Sequence, residues 1–440
     1  MTPAEALTKL TIHTHAVVIA RGADGYPVQV ATSFQVTATG LELQPADAGL
    51  PVGDGPAQVV FSHIRPRPGV GYDKRAYVQL DGTLQAGEAV WRFDATRARG
   101  WDEHTIPFVE LCERAVPQGR RYLAQLSAEQ GRSVEARLGI GWRLFLATRA
   151  PFLTATLVPI GLGAAAAAFD GAFNWALLLA TLLGGLAAHL GLNVANDIFD
   201  TRSGADDANV TPTMFSGGSR VLQYGLMSMR QMWAICLTCY AVAIAVGVGL
   251  VVLRGPGLLW LGAAGILISY FYTAPPLKLV HRGLGEVAVA VGFGPIMVMG
   301  AFFVQTQHYT WRPLLLSLPV AIMVMLILYA NEIPDRHSDA MVGKRTLVVP
   351  LPKSTVLAVY LVSATIAYLA IVVGAATRVL PLTALLGMLT LPLALRVLRT
   401  LDRAYDRPYE LMAGLQDQVL LHLGTGVLLI GGTLAGHLTG

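Results

Sequence analysis

Cysteine is scarce in this 440-residue chain, which has only Cys112, Cys236 and Cys239. An odd, sparse set excludes a disulfide scaffold. Cys236 and Cys239 form a C-x-x-C, but within the apolar run QMWAICLTCYAVAIAVGVGLVVL, with no second pair and no nearby His to complete a metal site. They are expected to be small packing residues. Charge is scarce too: Asp, Glu, Lys and Arg make up 14% of the chain, against roughly 25% in soluble globular proteins. The formal net charge of +4 is too small to suggest a nucleic-acid binder. The first residues, MTPAEALTKLTIHTH, lack a basic segment followed by an apolar core, so no signal peptide is expected. What is abundant is apolar surface, 54% of all residues.

That apolar surface is unevenly distributed. Residues 1–140 read as a soluble domain. Short alternating stretches starting at Ala16, Pro27, Ala57 and Ala76 predict strands, separated by the breaks ADGYP, GDGP and RPRPGVGYD. A helical tract is expected from about Pro107 to Leu138. Several antiparallel strands and one helix imply a small barrel. Residues 141–440 read as an all-α transmembrane bundle. A hydrocarbon core needs about 20 apolar residues per helix, and nine runs fit: roughly 151–168, 174–194, 231–253, 257–274, 286–304, 315–331, 355–375, 379–399 and 418–437. Lys and Arg favour alternate loops, which hold Arg202, Arg220, Arg230, Lys278, Arg282, Arg336, Lys344, Arg345 and Lys353. By the positive-inside bias those loops and the N-terminal domain face the cytoplasm, as in a multi-pass protein of the cell inner membrane.

Two acidic clusters fall at the cytoplasmic helix ends. NVANDIFDTRSGADD carries Asn193, Asn196, Asp197, Asp200, Asp206 and Asp207, the first four spaced to share one helix face. NEIPDRHSD carries Asn331, Glu332, Asp335 and Asp339. The step from Asn193 to Asp197 equals that from Asn331 to Asp335, as in two halves of one site. Ionisable groups in a membrane segment are costly and by default functional. So many carboxylates together need a cation, and hard oxygen donors at this density suit magnesium with phosphate oxygens. Asp207 is read as a solvated loop charge and Glu332 as an interfacial one. Basic residues on the same side, Arg220, Lys278, Lys344 and Arg345, are candidates to grip phosphate oxygens. Tyr270 and Tyr272, just before a Pro-Pro break, are candidates to stabilise an allylic cation through their ring faces. Arg65, Arg67, Lys74 and Arg75 form a second basic group, read as a solvated loop rather than a phosphate site.

The tracts NVANDIFDTRSGAD, FSGGSRVLQYGLMS, YFYTAPPLKLVHRGLGE and NEIPDRHSDAMVGKRTL resemble the UbiA superfamily of intramembrane aromatic prenyltransferases, within it the branch acting on 1,4-dihydroxy-2-naphthoate. The resemblance spans about residues 141–440. It implies nine helices around a cavity, magnesium as cofactor, an isoprenyl diphosphate and an aromatic acceptor as substrates, and a prenyl tail leaving sideways into lipid. Carried over, it makes Asp197, Asp200, Asp335 and Asp339 catalytic and, with Asp206, metal-binding. Asn193, Asn196, Arg220, Tyr270, Tyr272, Lys278, Asn331, Lys344 and Arg345 become substrate-binding, and Asp200 is one candidate base. NEIPD departs from the common Asn-Asn-x-Arg-Asp form, which leaves homogentisate, chlorin, haem or glycerol phosphate lipid open as alternative acceptors; an ion-coupled transporter is the rival from another class. The N-terminal stretches DGYPVQVATSF, YVQLDGTLQ and RRYLAQL resemble the split-barrel family related to pyridoxamine phosphate oxidase, which implies a flavin or deazaflavin site or a barrel that has lost one.

Overall fold

The computed structural model describes residues 1–22, 25–37, 40–45, 52–68 and 71–439. Parts of two expected breaks, Ala23–Asp24 and Gly69–Val70, lie outside the described residues, as does Gly440. The chain divides into two compact units, Met1–Arg114 and Ala115–Gly440.

The first unit opens with a short helix α1 (Pro3–Thr8), started by a capping box in which Thr2 and Glu5 exchange side-chain and backbone hydrogen bonds. Six antiparallel strands follow: β1 (Ala16–Gly22), β2 (Pro27–Thr37), β3 (Gly40–Pro45), β4 (Val52–Arg67), β5 (Gly71–Gln85) and β6 (Trp91–Asp102). They pair in the order β1-β2-β3-β6-β5-β4, and β4 returns to β1, so the sheet closes on itself. Closure removes the edges that would otherwise pair with other chains. β1 alternates, with Ala16, Val18 and Ala20 inward. Together with Leu43, Phe61, Leu80, Leu84, Trp91 and Phe93 they fill the interior. Each large side chain buried this way contributes roughly 1.5–3 kcal/mol. At Gly82 the strands approach so closely that a Cβ would meet the Asp94 carbonyl oxygen at 2.1 Å, and the β5–β6 register shifts there.

Helix α2 (Phe108–Gln130) ends earlier than the tract to Leu138 predicts, because Gly131 takes a left-handed φ of +61°. The second unit continues with α3 (Ile140–Ala147), α4 (Thr154–Phe169), α5 (Trp175–Ser203), α6 (Ala205–Ala208), α7 (Met229–Arg254), α8 (Gly257–Phe271), α9 (Gly285–Val291), α10 (Met297–Thr306), α11 (Trp311–Met341), α12 (Lys353–Ala376), α13 (Leu391–Arg403) and α14 (Pro408–Thr439). A π-helical turn, Gly292–Ile296, joins α9 to α10 in one continuous rod. Side-chain caps fix two helix starts: Asn174 accepts the Leu177 N–H ahead of α5, and Ser228 accepts the Gln231 N–H ahead of α7.

Among the described residues, eight helices are long and apolar enough to cross a membrane. This corrects the expected nine. The fourth run forms α8, with 15 residues, which at 1.5 Å per residue falls short of a hydrocarbon core of about 30 Å. A core led by Tyr329, Tyr360, Phe302, Leu162 and Leu316 packs α4, α10, α11, α12 and α14 together. α5 and α7 pack through a separate cluster of Val194, Ala195, Ile198, Met232 and Cys236. Cys236 is a buried free thiol of that cluster, and Cys239 is a half-buried free thiol.

Candidate functional site

Both acidic clusters occupy the last turns of long helices, Asp197 and Asp200 on α5 and Asp335 and Asp339 on α11. A helix C-terminus carries partial negative charge, so each dipole adds to the carboxylates instead of offsetting them. The two ends converge. Asp200, Asp206, Asp335 and Asp339 line a single cavity of about 160 Å³, along with Asn193, Asn196, Asn331, Tyr272 and Lys344.

Lys344 lies between the halves. Its ammonium stands 3.2 Å from Asp200 Oδ2 and 3.4 Å from Asp339 Oδ1. Burial works against its charge, but Asp200 and then Asp339 outweigh that and hold it protonated well above the ordinary lysine range. Asp206, on the short α6 just past α5, is shifted the other way: burial, then the Asp200 and Asp197 carboxylates, push its carboxyl well above the usual range.

A glycine loop closes one wall. Asp335 accepts the Asn209 side-chain amide at 2.8 Å and the Gly217 N–H at 2.9 Å. Gly217 and Gly218 have φ of +79° and +76°, and a Cβ on Gly218 would stand 2.7 Å from Asp206 Oδ1. Only glycine allows this backbone so near a carboxylate.

Several expected site residues are placed elsewhere. Asp197 does not line the cavity: Oδ1 accepts from Arg149 Nη2 at 2.5 Å, and both oxygens face the Ser219 N–H at 3.3 Å. Tyr270 packs edge-on against Phe199 and Tyr240, away from the cavity that Tyr272 lines. Arg220 is buried and donates to the Asp206 backbone carbonyl. Lys278 has a left-handed φ of +44° and lies off the cavity lining. Arg345 is exposed, and its N–H donates to the His281 carbonyl at 3.2 Å. Asp207 is exposed, as a loop charge should be. Glu332, read as interfacial, is instead buried and lines the cavity. Among the described residues, no three His, Cys, Asp or Glu side chains converge as a ready-made metal cage.

The sequence reading did not single out Arg149, His189, Ser216 or Asn209, all of which line the cavity. Arg149 adopts a left-handed φ of +50° in the turn before α4, and no motif marks it. Burial opposes its charge, yet Asp197, then Asp206, raise its guanidinium above the ordinary value. His189 lies one turn before Asn193, with Nδ1 2.8 Å from the Thr156 hydroxyl and its ring 4.8 Å from that of Phe293. Ser216 and Asn209 belong to the glycine loop; the Gly pair in FSGGSRVL was their only signal.

A second cavity, about 640 Å³, adjoins the first. His189, Leu192, Tyr272, Val289 and Phe293 line both. The rest of its wall is nearly all aliphatic, drawn from α5, α7, α8, α9 and α10, and includes Val246, Leu250, Leu258, Ile266 and Met297.

In the first unit three of the four basic residues are already committed: Arg65 and Arg67 pair with Asp73, and Arg75 pairs with Glu103, while Lys74 is exposed.

The profile of the UbiA prenyltransferase family matches residues 156–415. The chain is 28% identical over 248 residues to the 1,4-dihydroxy-2-naphthoate octaprenyltransferase of Bacillus subtilis (strain 168), covering 56% of this chain and 78% of that one. It is 27% identical over 307 residues to the 2-carboxy-1,4-naphthoquinone phytyltransferase of Synechocystis sp., covering 66% and 92%. A solved structure, the apo form of a UbiA homolog from Aeropyrum pernix K1, superposes with a TM-score of 0.47 at 17% identity, covering 63% and 97%. The family match begins at residue 156 and so lends no support to a flavin in the first unit.

Proposed function

The chain belongs to the UbiA prenyltransferase family, and from that premise we propose that it is an integral membrane enzyme transferring a polyprenyl group from an isoprenyl diphosphate to 1,4-dihydroxy-2-naphthoate, a step of menaquinone formation. Both the Bacillus subtilis and the Synechocystis relatives are named for naphthalene-ring acceptors. The observation that carries the reading is the junction of two unlike cavities. One is ringed by Asp200, Asp206, Asp335 and Asp339, and the other is aliphatic and four times larger. An isoprenyl diphosphate has the same two halves, a compact anionic head and a long apolar tail.

The donor set fits magnesium. Asp200 Oδ1 and Asn331 Oδ1 are buried with no hydrogen-bond partner, and hard oxygen donors are what this ion takes. It typically binds one or two carboxylates, with phosphate oxygens and water completing the shell, so no protein cage is required. Asp200 and Asp206 would hold it from one side, Asp335 and Asp339 from the other. Bound there, it would neutralise the departing diphosphate. Lys344 and Arg149 supply fixed positive charge in the lining of the same cavity. Phe293, Leu192 and Val289 keep water from the neck where the allylic carbon would lie, and the ring face of Tyr272 is available to an allylic cation there. Asp197 serves by fixing Arg149. From the Lys and Arg bias of the loops, the acidic cavity opens to the cytoplasm of a cell with an inner membrane.

The purified protein should transfer labelled geranylgeranyl groups to 1,4-dihydroxy-2-naphthoate in preference to homogentisate or a chlorin. Chelation of magnesium should abolish transfer, and Asp200→Ala or Asp339→Ala should lower turnover by about a hundredfold or more. Near-normal turnover in both variants would remove the diphosphate site.

A further inference from the structure

His189 is one of the residues that line both cavities, and the diphosphate chemistry leaves it idle. It is 5% exposed and lies on α5. Gly185, one turn earlier, lets α4 come close: a Cβ there would stand 2.6 Å from Ile160 Cδ1 and 3.3 Å from Thr156 Cγ2. That approach brings the hydroxyl of Thr156, a fully buried residue, to 2.8 Å from His189 Nδ1. Phe293 packs edge-on against the imidazole, with ring centres 4.8 Å apart, and holds its plane.

Hydrogen-bond accounting sets which nitrogen carries the hydrogen. Among the described residues, the Thr156–His189 contact is the only hydrogen bond of either side chain. A neutral imidazole has one N–H and one bare nitrogen. If Nδ1 held the hydrogen, it would donate to the Thr156 oxygen and leave the hydroxyl's own hydrogen without an acceptor. An unmet buried donor is costly. If the hydroxyl donates to Nδ1 instead, both groups are satisfied and the hydrogen sits on Nε2. Nε2–H is then the one polar bond His189 has left to offer, and the residue stands where the two cavities meet.

The surroundings narrow what Nε2–H can bind. Diphosphate oxygens belong with the metal ions among the carboxylates. A carboxylate on the acceptor is drawn to the permanent charges of Arg149 and Lys344. A neutral donor beside Phe293, Leu192 and Val289 suits a neutral oxygen on a flat ring. The reacting ring carbon has to meet the allylic carbon at this neck, which brings the ring's hydroxyl groups past His189.

We propose that His189 selects the aromatic acceptor: its Nε2–H donates to a ring hydroxyl oxygen and holds the ring at the neck. Thr156 is the positioning residue that keeps the hydrogen on Nε2. The inference rests on the transferase reading above. No covalent bond forms or breaks at His189, so its effect falls on acceptor choice and on the acceptor KM. A site built to bond a hydroxyl rejects an analogue that lacks it, because the site's own polar group is then left unmet.

The full-length enzyme is assayed with magnesium, labelled geranylgeranyl diphosphate and four acceptors: 1,4-dihydroxy-2-naphthoate, its carboxamide, 1-hydroxy-2-naphthoate and 4-hydroxy-2-naphthoate. Wild type should prefer the dihydroxy acid to the monohydroxy acid that lacks the bonded hydroxyl. In His189→Leu that preference in kcat/KM should shrink by about five- to tenfold, the scale of one hydrogen bond, chiefly through a raised KM for the dihydroxy acid. Magnesium-dependent binding of geranylgeranyl diphosphate should stay within about twofold of wild type. His189→Gln, whose amide can put an N–H where Nε2–H was, should keep most of the preference. His189→Asn, whose amide reaches only the place of Nδ1, should lose it. Thr156→Val should lose part of it and Thr156→Ser none. An unchanged preference in His189→Leu and His189→Asn overturns the proposal. So does an equal loss for all four acceptors, which makes His189 a packing residue, and so does a change confined to the carboxamide, which puts the carboxyl group at Nε2. If His189→Leu does not fold, His189→Asn, which keeps the tie to α4, decides by the same ratio. Failure of the transferase reading itself shows differently, as a wild-type enzyme that prenylates none of the four and binds no geranylgeranyl diphosphate.

Discussion

Replacing Lys344 with Met should turn the site into one that depends on a divalent cation for its stability. The side chain is nearly the same length, so packing is kept and the charge is lost. In the wild type the ammonium stands 3.2 Å and 3.4 Å from two buried carboxylates, each at the negative end of a helix. Removing one partner of a buried ion pair costs roughly 3–5 kcal/mol, because the remaining charge is left unpaired. For a unit of this size each kcal/mol moves Tm by about 2–4 °C, so in chelator Lys344→Met should melt on the order of 10 °C below wild type. Magnesium should recover much of that loss, since a divalent ion can take the place of the ammonium between Asp200 and Asp339. The assay is a thermal melt of the detergent-solubilised protein, with chelator and across a magnesium titration. Lys344→Met melting with wild type in chelator, or gaining no more from magnesium than wild type does, would refute the assignment of Lys344 as the bridge between the two halves.

Gly218→Ala should lower turnover by at least about tenfold while leaving the membrane helices intact, since its Cβ would press on Asp206 at 2.7 Å from a φ of +76°; unchanged activity would show that the loop can yield. In the first unit, burial and then His63 lower the pKa of His13, a residue that is 7% exposed. The unfolded chain therefore binds this proton more readily than the folded one, so stability is complete above about pH 7 and falls as pH drops through the ordinary histidine range near 6.5. Hydrogen exchange in β1 and β4, corrected for intrinsic rate, should show protection declining from pH 7.5 to 5.5 in wild type and holding level in His13→Leu; equal profiles would sink the reading.

The elements with strong local periodicity were legible in the sequence. β1 and β2 begin at the expected residues while β4 and β5 begin five residues ahead of theirs, and most apolar runs became membrane-length helices, because those patterns repeat every two residues or fill a fixed length. β3 and β6 were not read: β6 (WRFDATRARGWD) alternates with charges that only its partners β3 and β5 show to be outward. The acid motifs pointed to the cavity because they bring many like charges to helix ends. Asp197 lies off the cavity lining for a geometric reason. With 3.6 residues per turn, Asn193, Asn196 and Asp200 form one stripe, and Asp197 falls on its far edge, toward Arg149, a residue 48 positions away. Glu332 looked interfacial because the cavity it lines is assembled from segments as distant as Arg149 and His189. Contacts at such separations leave no periodic trace.

The acidic cavity also behaves as an ion exchanger. Its described lining holds five acidic side chains, Asp200, Asp206, Asp335, Asp339 and Glu332, against two permanent cations, Arg149 and Lys344. A diphosphate is itself strongly anionic, so head group and wall repel each other until cations enter with it. Linkage then makes the effect reciprocal: the factor by which magnesium raises diphosphate affinity is the factor by which diphosphate raises magnesium affinity. Neither ligand alone should bind tightly, and each should cap the other's apparent constant. An enzyme built this way holds its substrate head only as a neutralised salt, and once the prenyl group has left, the freed diphosphate and its metal ions tend to depart together.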